Sequence, residues 1–433
     1  MSQYRSAEQA LLSYLPANLE WRLYQVKIPR EFWKDVSGSP LNAAASAAAA
    51  KVCRPGAAAA GRWRATPVLP EYYEINTLSV TGKKGQPSVN EKPHLVLVHG
   101  WGGALGMWLR NLEELSEHYT VHAIDLLGWG GSSRPPFSSI YPSTSSSTAH
   151  ATALAAQAYF VDSLESWRAA QNISTFHLVG HSMGGFISAS YYLRFPHRLS
   201  NLTLLSPIGL QGFQAPPTAT LRTKLQAALV HQAWQFTPQR ILVHVLGKDK
   251  AREMVMRART RIARMFGRGG GAGQGHRDIP PAVIVDYLLA GIHRAPGVAG
   301  EAAFAKLGSP AKGWVVPLDA QLKKALVSSP DGRLADAEGS LAIAYGVGDW
   351  IDPRYALWDL QPSVLKENAA AKLEVYLVEG AGHHAYVENV RVMNDIVLRK
   401  RECVREARDE PGLVAEMVQA RSRGGGGGFM SIA

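Results

Sequence analysis

The 433-residue sequence predicts an α/β fold: a mostly parallel central sheet, helices on both faces, and a helical lid inserted between two strands. Three observations lead there. Six short apolar runs alternate with helical stretches, and each runs into Gly, Pro or a polar residue at its carboxyl end. The interval between 207 and 341 breaks that rhythm with a long, helical and basic span. A serine between glycines, "GHSMG", sits directly between one apolar run and a helical one.

Taken in order, residues 1–66 read as an N-terminal segment. Its opening, "MSQYRSAEQALLSYLP", has neither the basic n-region nor the cleavage site of a secretory signal, so none is expected. Its insertion "SGSPLNAAASAAAAKVCRPGAAAAGR" (37–62) is Ala-rich, with apolar side chains too small to build a core. Residues 67–207 form the first part of the core. There "EYYEINTLSV" (71–80) predicts an antiparallel strand at the sheet edge. "LVLVHG" (95–100), "VHAIDL" (121–126), "FHLVGH" (176–181) and "LTLLSP" (202–207) predict buried strands. The Ser/Thr-rich "SSIYPSTSSSTAHAT" (138–152) predicts a loop of low order. Residues 208–335 are the lid with its basic segment, and 336–405 complete the core with "LAIAYG" (341–346) and "VYLVEG" (375–380). A tail, 406–433, ends in a glycine run.

Composition narrows the chemistry. The two cysteines, Cys53 and Cys403, lie in unrelated contexts, which excludes a disulfide framework or a CxxC metal site and favours a reducing compartment. No HExxH appears, so neither a metal nor a cofactor is expected. The net charge of +11 points to an anionic contact. Zinc-finger spacing and RRM-type aromatics are missing, so that contact is a membrane surface rather than nucleic acid. No apolar run approaches the roughly 18–20 residues of a spanning helix. Within the lid, "KDKAREMVMRARTRIARMFGRGGGAGQGHR" carries nine Lys/Arg against two acidic residues. There Val255, Ala258, Ile262 and Met265 recur at helical spacing, the pattern of a helix on an anionic membrane or of a basic face packed on the core.

In a parallel sheet, functional groups gather beyond the carboxyl ends of the strands. Ser182 lies there in G-x-S-x-G, a turn that needs little bulk two residues either side and lifts the hydroxyl clear of the sheet. A serine hydroxyl needs a base, and "EGAGHHAYVEN" offers His383, with His384 as competitor. The order Ser, Asp, His is completed by "YGVGDWIDPR". Asp349 is nearer the strand end and is the preferred acid; Asp352 is the alternative, or else a helix cap. Backbone N–H groups of Trp101 and Met183 are placed to hold an oxyanion. Asp125, in "IDLLGWGGSS", reads as a loop anchor.

These residues resemble the α/β-hydrolase superfamily, and within it the subfamily of α/β-hydrolase domain-containing proteins four and five. The matching pieces are "LVLVHGWGGALGMWLRNLEEL", "AIDLLGWGGSSRPPF", "FVDSLESWRAAQNISTFHLVGHSMGGF", "SPIGL" and "EGAGHHAYVENV". "AEQALLSYLP" near the start and "DYLLAGIHRAPGVAGEAAFAKLGSPAKGW" in the lid are weaker matches. The resemblance implies a serine acyl hydrolase acting on phospholipids, lysophospholipids or other fatty-acyl esters. It also implies two alternatives: acyl transfer from acyl-CoA to lysophosphatidic acid, and a non-catalytic lipid-droplet lipase co-activator. The acyltransferase reading is tied to a His-x4-Asp motif, whose matching positions here are His383 and Glu388. The carboxylate is thus Glu rather than Asp, which moves the charge by a methylene. The family's co-activator member carries Asn at the nucleophile position, where this chain has Ser182. The partners implied are a lipid substrate and a peripheral membrane or lipid-droplet surface. The location implied is intracellular, at a lipid droplet, the endoplasmic reticulum or a mitochondrion.

Overall fold

A computed structural model describes residues 2–31, 70–85, 92–141, 148–210, 238–258, 266, 278–293, 299–309, 313–328 and 339–423. The Ala-rich stretch 37–62, the glycine tail, Ile262 and Met265 lie outside the described residues, as do the side chains of Val255 and Ala258.

Eight strands form one sheet: β1 (Leu19–Pro29), β2 (Tyr72–Lys83), β3 (His94–Val98), β4 (Thr120–Ile124), β5 (Phe176–His181), β6 (Leu199–Leu205), β7 (Leu341–Gly346) and β8 (Leu373–Val378). Their spatial order is β1-β2-β4-β3-β5-β6-β7-β8. From β4 to β8 every pairing is parallel, while β1–β2 and β2–β4 are antiparallel.

The continuous apolar runs follow from burial on both faces. In β3, Val96 and Val98 enter one core with Tyr159, Trp167 and Phe186. Leu95 and Leu97, pointing the other way, enter a second core with Leu11, Trp108 and Tyr386. β7 divides alike: Leu341, Ile343 and Tyr345 on the first face, Ala342 and Ala344 on the second.

The helices that matter to the site are α1 (Ser2–Leu12), α2 (Leu112–His118), α3 (Ala149–Ala170), α4 (Met183–Arg194), α5 (Pro238–Leu246), α6 (Lys248–Ala258), α7 (Pro281–His293), α8 (Ala299–Leu307) and α9 (Asp319–Ser328). The last five fall between β6 and β7. Among them α7 packs on α1, α8 on α3 and α9 on α4.

Two differences from expectation have physical reasons. The strand beginning at Tyr72 is not the sheet edge, because β1 pairs outside it from Leu19↔Lys83 to Pro29↔Tyr72. Its sequence, "LEWRLYQVKIP", interleaves apolar with charged residues and is half-exposed, so it lacks the apolar run of a central strand. The Ser/Thr-rich loop is shorter than its composition suggests. Phe137–Ile140 is helical, and Thr148 caps α3 by accepting the Ala151 N–H at 3.1 Å; residues 142–147 lie outside the described residues. Ahead of its glycine run the tail holds a helix, Pro411–Arg423.

Candidate active site

Ser182 sits between β5 and α4 with φ 53° and ψ −110°, a conformation that L-residues rarely adopt. Such a backbone costs on the order of 1–3 kcal/mol. It is held from both sides: Ser182 N–H donates to Leu205 O at 2.9 Å, and Ser182 O accepts from Phe186 N–H at 3.1 Å. The flanking glycines are steric necessities. A Cβ on Gly180 would lie 2.3 Å from Gly184 O, and one on Gly184 would lie 2.4 Å from Val98 O.

His383 faces Ser182 across 201 residues of sequence, with Nε2 3.0 Å from Oγ. Its Nδ1 lies 3.0 Å from Asp349 Oδ1, so Nδ1–H donates to the carboxylate and Nε2 is left to accept the serine proton. Gly346 allows the acid-bearing and histidine-bearing loops to meet. A Cβ there would lie 2.3 Å from Gly382 O and 2.4 Å from Ala381 O. The loops are also laced by Val347 N–H to Val378 O at 3.0 Å and Gly348 N–H to Ala381 O at 2.9 Å.

Asp349 is buried, which by itself would raise its carboxyl pKa. The His383 charge and hydrogen bond, the Ser206 hydroxyl and the Ile351 N–H outweigh burial and hold it below the ordinary carboxylate range. Ser206 is a residue that sequence reasoning missed. It follows β6 with φ 46°, and only its place in "SPIGL" marked it.

Of the two candidate acids, Asp349 is the one brought to His383. Asp352 is turned to Arg354, accepting its backbone N–H at 3.0 Å and its Nε–H at 2.8 Å. His384 lies beside His181, with ring centroids 5.1 Å apart and the planes tilted by 41°. His181 itself donates Nε2–H to His383 O at 2.8 Å and stays neutral, its pKa pulled well down by burial and then by the neighbouring histidines. Glu388 accepts the Gly382 N–H at 2.6 Å, one residue before His383. It therefore braces the histidine loop.

The turn after β3 comes against the elbow, where a Cβ on Gly100 would lie 3.2 Å from Ser182 Cβ. Trp101 is the next residue. Met183 opens α4, so its N–H has no carbonyl one turn back within the helix. Behind them His99 accepts the Leu126 N–H at 3.2 Å and bonds Gly100 O through Nδ1 at 2.8 Å, tying the turn after β3 to the loop after β4. Asp125 anchors that loop: its carboxylate accepts Leu105 N–H at 2.7 Å, Gly131 N–H at 2.6 Å and Asn76 Nδ2–H at 2.8 Å.

A serine on a strained strand–helix turn, with acid and histidine supplied by later strand ends of one parallel sheet, is the architecture of an α/β hydrolase. The family profile described as alpha/beta hydrolase fold matches residues 93–390. A 1-acylglycerol-3-phosphate O-acyltransferase of Arabidopsis thaliana is 31% identical over 73% of this chain and 66% of its own length. The abhydrolase domain-containing protein abhd-5.2 of Caenorhabditis elegans is 30% identical over 75% of this chain and 62% of its own. A (lyso)-N-acylphosphatidylethanolamine lipase of Bos taurus is 28% identical over 76% of this chain and 83% of its own. The chain belongs to the alpha/beta hydrolase fold family, and within it to the subfamily of α/β-hydrolase domain-containing proteins four and five. It spans just under two thirds of the length of the plant and nematode relatives.

Proposed function

We propose that the protein is a serine acyl hydrolase of fatty-acyl esters, (lyso)phospholipids foremost. The observation that carries this is the unbroken hydrogen-bond chain Ser182–His383–Asp349 on a strained turn. His383 Nε2 takes the Ser182 proton as Oγ bonds to the ester carbonyl carbon. Met183 and Trp101 N–H groups hold the oxyanion, and Asp349 steadies the imidazolium. The imidazolium then gives its proton to the departing alkoxide as the ester C–O bond breaks. Water next gives a proton to His383 and bonds to the acyl carbon; Ser182 regains its proton and the fatty acid leaves.

The lipid character of the substrate is supported by the relatives, whose names describe a lipase and an acyltransferase of glycerophospholipids. A second reading follows from the plant relative's name. A lysophospholipid hydroxyl, instead of water, accepts the acyl group. We place the protein at an intracellular membrane or lipid-droplet surface, with 208–335 as the lid. In that span Val245 is 71% exposed and Met254 49%, near Lys248 and Lys250. No helix among the described residues is long and apolar enough to cross a membrane.

The test is fluorophosphonate labelling of the wild-type and Ser182→Ala proteins, followed by product analysis from one acyl donor. Labelling and fatty acid release that both need Ser182 are expected. Phosphatidic acid as the main product favours the second reading. Unlabelled wild-type protein without fatty acid release, with the full cellular effect kept in Ser182→Ala, overturns the serine mechanism in favour of a non-catalytic co-activator; fatty acid release retained in Ser182→Ala overturns Ser182 as the nucleophile.

A further inference from the structure

His181 ends β5 and Ser182 follows it, so a single peptide bond joins the two. The Nε2 of His181 lies 2.8 Å from His383 O. A carbonyl oxygen only accepts, so this nitrogen carries the proton and donates it. His383 Nε2 in turn lies 3.0 Å from Ser182 Oγ. The contacts close a ring. It runs from Ser182 back one residue, through the His181 side chain to the His383 backbone, and through the His383 imidazole to Ser182 again. The covalent route between the same two residues is 201 residues long.

Packing does not account for a histidine at this position. The residue is 2% exposed, and its ring centroid is 4.8 Å from that of His383 and 4.7 Å from that of Tyr386. Gly100 covers the other nitrogen, where a Cβ would lie 2.7 Å from Nδ1. That Nδ1 is buried with no hydrogen-bond partner among the described residues. A buried acceptor left unpaired costs the folded state free energy, and a hydrocarbon ring would fill the space without that cost. What the imidazole adds is the bond from Nε2–H. Burial keeps the ring neutral, so it donates without placing a second positive charge beside the His383 imidazolium.

We propose that His181 is a positioning residue for acyl transfer at Ser182: its Nε2–H pins the His383 backbone and so keeps the imidazole aligned between the serine hydroxyl and Asp349. It acts through His383 and takes no part in the proton transfers. The inference rests on the serine-hydrolase reading above for its effect on rate, but not for the clamp itself.

Two replacements in the full-length protein separate the bond from the ring. His181→Phe keeps an aromatic ring and removes the donor. His181→Gln keeps an N–H donor near the place of Nε2 and removes the ring. On a soluble ester, His181→Phe is expected to lower kcat about tenfold or more with KM within about twofold, and His181→Gln to recover most of that loss. A role in packing alone predicts the reverse order. Proton NMR supplies a readout that needs no turnover. The His383 Nδ1–H bonded to Asp349 gives a low-field resonance, assigned by its loss in His383→Ala. That resonance is expected in wild type and in His181→Gln, and shifted or broadened in His181→Phe. Should His181→Phe not fold, His181→Leu, which also lacks the donor, takes its place. Wild-type kcat in the donor-less variant, an unchanged resonance there, or equal impairment of His181→Gln overturns the proposal. A wild-type protein that hydrolyses no ester, with the resonance responding as expected, leaves the clamp standing and overturns the hydrolase reading instead.

Discussion

Tyr4, in the first helix, and Asp125, at the end of β4, are 121 residues apart in the chain and 3.1 Å apart from phenol to carboxylate. Tyr4 also meets Tyr287 of α7, hydroxyl to hydroxyl at 3.2 Å, and Tyr287 in turn accepts the Gly106 N–H at 3.2 Å. The amino-terminal helix, the turn after β3, the loop after β4 and a helix from the span between β6 and β7 thus converge on one carboxylate. That carboxylate sets the position of the turn carrying Trp101, so residues far from Ser182 bear on its geometry.

Asp125→Ala leaves the Leu105 and Gly131 amides without their acceptor. At about 1–3 kcal/mol for each orphaned buried donor, a loss of roughly 2–6 kcal/mol in unfolding free energy is expected. Denaturant titration measures it. A loss below about 1 kcal/mol would show that these amides find other acceptors.

Asp349→Asn should lower kcat by about three to four orders of magnitude, since an amide neither fixes the imidazole tautomer nor balances its charge. Asp352→Asn should stay within about twofold, because Asp352 holds Arg354 and not His383. Steady-state kinetics on a soluble ester decides. Equal effects at both positions contradict the assignment.

Glu388 touches the Gly382 amide, so its role is to position the loop on which His383 stands. Glu388→Ala is expected to reduce hydrolysis and acyl transfer together, about tenfold, with KM little changed. Product ratios from a single acyl donor provide the readout. Selective loss of the acyl-transfer product would mean that Glu388 acts on the acyl acceptor.

Four buried histidines make the fold acid-sensitive. Burial lowers the pKa of His99, takes His177 and His181 well below the ordinary value, and with His94 and Arg22 pulls His122 to about 3. Unfolded, each titrates near 6.5. Below that pH the unfolded chain binds more protons than the folded one. The stability these groups contribute is therefore complete above about pH 6.5 and declines as pH falls towards the folded values, by up to about 1.4 kcal/mol per pH unit for each. A drop in unfolding free energy of at least about 2 kcal/mol between pH 7 and 5 is expected by chemical denaturation. A flat profile would refute it.

The parallel sheet was legible because each central strand is buried on both faces and so reads as an unbroken apolar run. β1 was not, since a half-exposed strand of mixed residues such as Trp21, Arg22 and Leu23 reads weakly. Ser206 escaped because its hydroxyl matters through Asp349, and nothing in "SPIGL" signals a carboxylate more than a hundred residues away.

By itself the sequence determined the elbow at Ser182, for the glycines, the strand before and the helix after lie within a dozen residues and act through local sterics. The tertiary structure alone shows Asp349 against His383 with Asp352 turned to Arg354, and His383 against Ser182. Those contacts rest on where a loop points its side chains. That direction is set when Gly346 lets two loops from different strands pack backbone to backbone.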